Sequence, residues 1–239
     1  MSGILDSKIA LVTGGSRGIG LAIAKKLLAE GASVAICGRD AGVLEAAGNE
    51  LAKTHEAKRV AAIRADVSKL DDVRSLVAQV KERFGGLDVL VNNAGLGVFK
   101  SAGDLEPDEW SRMLDTNLSG VYYCCHEAIP LLKQSKSAFI LNIGSLAGRN
   151  AFAGGAGYNA TKFGLLGFTE ALMLDHRHDG IRVSCVMPGS VDTEFGHSGT
   201  GKEWKIQPED IADTVLHLLA LPERTLVSKV EVRPAQPPK

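Results

Sequence analysis

The chain has 239 residues, a formal net charge of −1, 45% apolar residues and 23% charged residues. That length is ample for a sizeable core, and the near-neutral balance offers no basic face for nucleic acid or an anionic membrane. No apolar run approaches the roughly 20 residues that span a bilayer, and the opening MSGILDSKIALVTGG lacks the basic stretch and long apolar segment of a signal peptide.

Short β-rich runs alternate with longer helical ones. In chain order, strands are predicted at Lys8–Thr13, Ser33–Cys37, Arg59–Ala65, Leu87–Asn92, Ala138–Ile143, Ile181–Met187 and Leu226–Val232. Several, such as IALVT and LDVLV, are continuously apolar, as strands covered on both faces are. Helices are predicted near Gly18–Glu30, Ala41–Lys53, Asp71–Phe84, Pro107–Leu132, Gly157–Asp179 and Pro208–Leu219. This succession implies an α/β fold, a parallel sheet with helices on both faces. No linker or repeat divides it, so residues 1–239 read as a single domain with a proline-rich tail from about residue 233.

Two helical stretches, Leu118–Leu132 and Phe163–Leu174, are apolar around much of their circumference. One side can face the sheet; a second copy of the chain is the simplest cover for the other. Cys37, Cys124, Cys125 and Cys185 form no CxxC pair and have no histidine at zinc-ligand spacing. They read as reduced core thiols of a cytoplasmic protein, and no metal site is expected.

VTGGSRGIG follows the first strand and opens the first helix. Glycines at a strand–turn–helix let the backbone approach a pyrophosphate, and the helix N-terminus supplies N–H groups and a positive dipole end. The expected contacts are Gly14, Ser16, Arg17, Gly18, Ile19 and Gly20. At the end of the second strand an acid would hold the ribose hydroxyls of NAD. Here Gly38 and Arg39 stand instead, and a guanidinium suits a 2′-phosphate. With Arg17 as a second cation, NADP(H) is favoured over NAD(H); Asp40 is the competing feature. Asp66 and Val67 close the third strand, where Asp66 can bond the adenine amino group, and Asn93, Ala94 and Gly95 of NNAG close the fourth. Ligands of open α/β sheets bind at such strand ends.

Tyr158 and Lys162 lie four residues apart in GAGYNATKFG, on one helix face. Taken alone, that spacing reads as a surface pair. Together with TGGSRGIG (Thr13–Gly20), NNAG (Asn92–Gly95), Asn117, Ser145 and PG (Pro188–Gly189) followed by Thr193, it resembles the short-chain dehydrogenase/reductase family, in order and in spacing, over roughly residues 8 to 195. The resemblance implies a doubly wound Rossmann sheet of seven strands, a nicotinamide cofactor, and dimers or tetramers built on the two apolar helices.

It also implies a catalytic set of Asn117, Ser145, Tyr158 and Lys162. The free phenol, with a pKa near ~10, exchanges protons poorly at neutral pH. A nearby ammonium is expected to lower that value. Tyr158 is then the acid in reduction and the base in oxidation. Lys162 tunes it and holds the nicotinamide ribose, and Ser145 bonds the carbonyl or developing alkoxide. Asn117 is implied to kink its helix and hold a water linking Lys162 to solvent. Pro188, Gly189, Val191 and Thr193 would wall the nicotinamide.

Two stretches depart from the family pattern. EFGHSGTGKEWKI after Thr193 is short where many members carry a longer helical lid, so an open or mobile mouth is expected. It holds no arginine for a carboxylate or phosphopantetheine; Lys202 and Lys205 could touch substrate, and Trp204 could be a substrate wall or an apolar anchor. The chain also ends VEVRPAQPPK, without a glycine-rich segment at a tetramer contact, which favours a dimer. The reading is an NADPH-dependent reductase of small carbonyl substrates, reversible to alcohol oxidation. β-Ketoacyl-acyl-carrier-protein reduction is one assignment within it, and broad ketone, aldehyde or sugar reduction another. A non-catalytic NADPH-binding sensor is the alternative of a different class, disfavoured by the intact Asn117, Ser145, Tyr158 and Lys162.

Overall fold

Seven parallel strands form one sheet, in the order β3-β2-β1-β4-β5-β6-β7. They are β1 (Ile9–Thr13), β2 (Ser33–Gly38), β3 (Val60–Arg64), β4 (Val89–Asn92), β5 (Ala138–Ile143), β6 (Ile181–Pro188) and β7 (Lys229–Val232). The computed structural model describes residues 3–197 and 200–238. Its helices are α1 (Gly18–Ala29), α2 (Ala41–Thr54), α3 (Leu70–Phe84), α4 (Pro107–Leu114), α5 (Gly120–Leu132), α6 (Ala156–His176) and α7 (Pro208–Ala220).

Side chains alternate across each strand, so the sheet buries two separate apolar layers. Ala10 and Val12 of β1, with Val34, Ile36, Val89, Val91, Phe139 and Leu141, pack toward α1, α2 and α7. Leu11, one residue out of phase, joins Ala35, Cys37, Leu90 and Ile140 under α3, α5 and α6. Fully burying a leucine or isoleucine contributes about 1.5–3 kcal/mol, and Leu11, Ile23, Leu27, Leu90 and Ile140 are each enclosed to within 2%. All four cysteines are buried and free, and burial raises each thiol pKa: Cys37 and Cys125 to about 12, Cys185 to about 11, and Cys124 well above its usual value.

The stretch expected as one helix over Pro107–Leu132 is three segments. Glu109 accepts from the Glu106 N–H at 3.1 Å and starts α4 behind Pro107. A wide π turn, Asp115–Ser119, then separates α4 from α5, with the Gly120 N–H reaching back to the Asp115 carbonyl. Gly120 is required there, because a β-carbon would lie 2.9 Å from the Val67 carbonyl oxygen. The last strand is also shorter than expected. Lys229–Val232 pair with Cys185–Pro188, while Leu226 packs on the core outside the strand. The proline-rich tail is held at its start, where the Pro234 ring meets Gly189.

Strand order reverses between β1 and β4, and such a switch point opens a crevice at the C-terminal ends of the strands. Beneath that rim runs a buried polar chain. Asn92 Nδ2 donates to Asn142 Oδ1 at 2.8 Å, Asn142 Nδ2 donates to Thr169 Oγ1 at 2.9 Å, and Thr169 Oγ1 donates to the Leu165 carbonyl at 2.7 Å. It ties β4 and β5 to α6, the helix carrying Tyr158 and Lys162. No helix among the described residues is long and apolar enough to cross a membrane.

Candidate active site

The turn between β1 and α1 is shaped by what a side chain would strike. Gly14 (φ 62°) and Gly18 (φ 54°) sit in the left-handed region that favours glycine. A β-carbon at Gly20 would lie 2.3 Å from the Gly14 carbonyl oxygen, so α1 presses directly on the turn. Arg17 begins α1 without any side-chain cap bond, which leaves the first N–H donors of the helix for a ligand. The opposite wall comes from β4. Thr13 Oγ1 accepts from the Asn93 and Ala94 N–H groups, each at 3.0 Å. Asn93 Nδ2 donates to the Thr13 and Gly14 carbonyls at 3.0 and 3.1 Å. Asn93, expected as a cofactor contact, therefore has its amide committed to holding the cradle together. Gly95 lies against Asn117 Oδ1, and Gly18 against the Thr193 methyl, where β-carbons would sit 3.3 Å away in each case.

At the end of β2, a β-carbon on Gly38 would be 3.2 Å from Ser16 Oγ, leaving little room for an acid. Asp40 turns away from that position, and its Oδ1 accepts from the Val43 N–H at 3.0 Å to cap α2. Arg39 is exposed, and its carbonyl accepts from Arg64 Nε at 3.1 Å. Arg17 is 74% exposed and lies 3.7 Å from Glu194. One Asp66 carboxylate oxygen accepts from the Ser68 N–H and hydroxyl, at 3.1 and 2.8 Å. Val67 is buried, while Ile19 and Val191 are half-buried against the core. Pro188 ends β6, and the Gly189 N–H donates to the Val232 carbonyl at 2.7 Å.

Ser145, Tyr158, Lys162 and Asn117 meet at the same rim. Ser145 stands just past β5, where its Oγ accepts from the Ala147 N–H at 3.1 Å and lies near enough to the Tyr158 phenol to draw its pKa down. Tyr158 lies in the first turn of α6 and Lys162 in the next. Lys162 Nζ donates to the Ile143 carbonyl at 2.9 Å and sits 5.8 Å from the centre of the Tyr158 ring. Asn117 has its whole amide engaged. Its Oδ1 accepts from the Leu96 N–H at 2.9 Å, and its Nδ2 donates to the Leu96 carbonyl at 2.8 Å and to Thr161 Oγ1 at 3.1 Å. Thr161 in turn donates to the Tyr158 carbonyl at 2.8 Å. Asn117 thus fixes the Tyr158 turn of α6 to the loop after β4, at the kink that the resemblance implied.

The electrostatics differ from the sequence expectation. Burial pushes the Tyr158 phenol up to about 12, against the opposing pull of the Ser145 hydrogen bond. Burial also lowers the Lys162 pKa, to about 8, partly countered by Cys185. The phenol is held protonated, and added positive charge is needed to make it a base. Near the mouth, Lys205 is buried rather than offered to a substrate, and Trp204 is half-buried. Val191 bridges to Ile206, closing the intervening segment at its base, while Asp192 accepts from the Gly201 N–H at 2.8 Å. Ser198 and Gly199 lie outside the described residues.

Sequence reasoning missed Asn159, whose Nδ2 donates to the Ala147 carbonyl at 2.6 Å and ties α6 to the Ser145 turn. It missed the linkers Thr13 and Thr161 as well, whose roles depend on partners distant in sequence. It also missed Phe99 and Phe195 against Tyr158, and Phe152 against Phe99; their positions in loops after β4, after β6 and before α6 were the available signal.

A family model described as short chain dehydrogenase matches residues 8–204. The chain belongs to the short-chain dehydrogenase family. An uncharacterized oxidoreductase of Staphylococcus aureus (strain MRSA252) is 35% identical over 97% of this short-chain dehydrogenase and 99% of the relative. The structure of an alcohol dehydrogenase from the archaeon Thermococcus sibiricus, complexed with 5-hydroxy-NADP, superposes with a TM-score of 0.90 at 34% identity, covering 97% and 99% of the two chains. A metagenomic short-chain oxidoreductase in complex with NADP gives a TM-score of 0.85 at 36% identity, covering 98% and 99%.

Proposed function

We propose that this short-chain dehydrogenase is an NADPH-dependent carbonyl reductase in which Tyr158 delivers the proton. The observation that carries the reading is geometric: the buried Tyr158 ring stands beside Ser145 at the C-terminal rim of the sheet, on the helix turn preceding Lys162, whose Nζ lies 5.8 Å from the ring centre. A proton donor is what reduction of a carbonyl requires at oxygen. Ser145 hydrogen-bonds the same oxygen as negative charge develops there. Lys162, fixed by the Ile143 carbonyl, keeps an ammonium close to the ring and holds the nicotinamide ribose. Asn117 positions the Tyr158 turn, and the widened helix around it carries the proton relay from Lys162 to solvent.

The cradle fits a dinucleotide: glycines occupy the positions where β-carbons would collide, and α1 lacks a side-chain cap. Gly14, Ser16, Gly18, Ile19 and Gly20 would hold the pyrophosphate, and Asp66 and Val67 the adenine. Ala94 and Gly95 would pass beneath the ribose, and Pro188, Gly189, Val191 and Thr193 would wall the nicotinamide. Arg39 and Arg17 would hold a 2′-phosphate, supported by Asp40 being engaged as a helix cap. The cofactor, when bound, supplies hydride to the carbonyl carbon. The NADP ligands of the archaeal and metagenomic relatives support this choice.

The test compares kcat/KM for NADPH and NADH across a panel of carbonyl substrates. Turnover with a preference for NADPH is expected. A preference for NADH, or no turnover with any carbonyl, contradicts the proposal; the latter together with intact NADPH binding would point to a sensor.

A further inference from the structure

Phe99 and Phe195 pack against Tyr158, and Phe152 packs against Phe99. Phe99 is 44% exposed, Phe152 46% and Phe195 39%, whereas Tyr158 itself is 8% exposed. The Phe99 ring centre lies 5.4 Å from that of Tyr158, edge-on, and 5.9 Å from that of Phe152. Phe195 lies 5.7 Å from Tyr158 and 6.5 Å from Phe99. Scattered exposed apolar residues need no explanation. Three of the four exposed phenylalanines among the described residues, brought from three separate loops into one run of ring contacts that includes a buried phenol, do.

The backbone makes room for these rings. A β-carbon on Gly196 would fall 2.4 Å from the Phe99 ring, one on Gly97 2.9 Å from the Phe195 ring, and one on Gly155 2.7 Å from the Phe152 ring. Three charged pairs lie nearby. Lys100, next to Phe99, holds Glu109 at 2.7 Å; Arg149 holds Glu231; and Glu194, next to Phe195, lies 3.7 Å from Arg17. The mouth is thus rich in aromatic faces and edges, and Lys100 and Arg149 beside it are engaged with carboxylates.

Resting on the carbonyl-reductase reading, we propose that Phe99, Phe152 and Phe195 form the specificity cage and that the substrate is an uncharged aryl aldehyde or aryl ketone. Its ring joins the edge-to-face array, and its carbonyl meets Tyr158 and Ser145. The carbonyl carbon gains a hydride from the reduced nicotinamide, which is oxidised. The oxygen takes the phenolic proton, and the product is the aryl carbinol. Solvent then restores the proton to Tyr158.

The test measures NADPH oxidation with matched phenyl and cyclohexyl ketones and with a β-ketoacyl thioester, in the wild-type protein and in separate Phe99→Leu and Phe152→Leu variants. The phenyl ketone is expected to lead the cyclohexyl ketone by about tenfold in kcat/KM. Each variant is expected to cut that ratio severalfold through KM, with NADPH affinity, read by its fluorescence, retained as proof of folding. A cyclohexyl ketone or thioester turned over as well as the phenyl ketone, or a ratio unmoved in whichever variants fold, overturns the cage and leaves the reductase reading standing. No turnover with any carbonyl overturns the reductase reading, and the cage with it.

Discussion

Replacing Lys162 with methionine separates what the amine does to the fold from what it does in the reaction. Lys162 is buried, and its pKa falls from 10.5 to about 8, so at neutral pH the fold carries an ammonium that burial disfavours. That gap corresponds to about 3 kcal/mol of destabilisation at pH 7. The unfolded chain keeps its proton up to 10.5 while the folded chain releases it from about 8. Between those values the unfolded state binds more protons, so wild-type stability from this group rises with pH, by roughly 2–3 kcal/mol from pH 7 to pH 10. The methionine variant has no amine and no such gain. At pH 7 it is expected to be at least as stable as the wild type, because losing the ammonium offsets losing the bond to the Ile143 carbonyl, about 1–2 kcal/mol. Tyr158 and Cys185 have raised pKa values and reduce stability at high pH, but both remain in the variant and largely cancel in the difference. Urea unfolding of both proteins at pH 7 and pH 10 measures it. Parallel pH dependence in the two proteins would refute the reasoning. Turnover is expected to fall by about a hundredfold or more in the variant, since the charge near Tyr158 is gone.

Arg39→Ala is expected to lower kcat/KM for NADPH by about tenfold or more while changing NADH little, because only the 2′-phosphate loses a charge-assisted bond; steady-state kinetics with both cofactors checks it. Gly20→Ala places a methyl group 2.3 Å from the Gly14 carbonyl oxygen and 2.4 Å from Asn93 Nδ2. It is expected to cost about 1–3 kcal/mol and to abolish measurable NADPH binding, as followed by denaturation and fluorescence titration. Tyr122, Phe163 and Leu174 are exposed on α5 and α6, and a second copy of the chain is expected to cover them. Light scattering should find a dimer that Phe163→Asp dissociates; a monomeric wild type at micromolar concentration contradicts this.

Most of the architecture was legible because most strands, β3 and β7 apart, are short apolar runs closed by glycine, asparagine or proline, and the parallel order follows from helices between strands. Two features were not. The π turn at Asp115–Ser119 has ordinary helical composition; it reflects Asn117 bonding to Leu96 and Gly120 lying against Val67, both contacts distant in sequence. The Tyr158 pKa also ran opposite to expectation. Spacing gives the distance between a tyrosine and a lysine but not how deeply each is buried, and burial is the largest cause of both shifts here. Motif residues at strand ends were readable, since the sheet delivers them to one rim. The phenylalanine cage was not, because its members lie 43 to 96 residues apart (99 to 152, 152 to 195, 99 to 195) and belong to no motif.

The reductase proposal stands or falls on Tyr158 as the proton donor. Tyr158→Phe keeps the ring and its packing against Phe99 and Phe195 while removing the hydroxyl beside Ser145. The direct measurement is the single-turnover rate of NADPH oxidation with an aryl aldehyde, in wild type and variant, at equal cofactor occupancy. A loss of about a thousandfold or more is expected, with NADPH affinity unchanged. A variant that oxidises NADPH at the wild-type rate contradicts it.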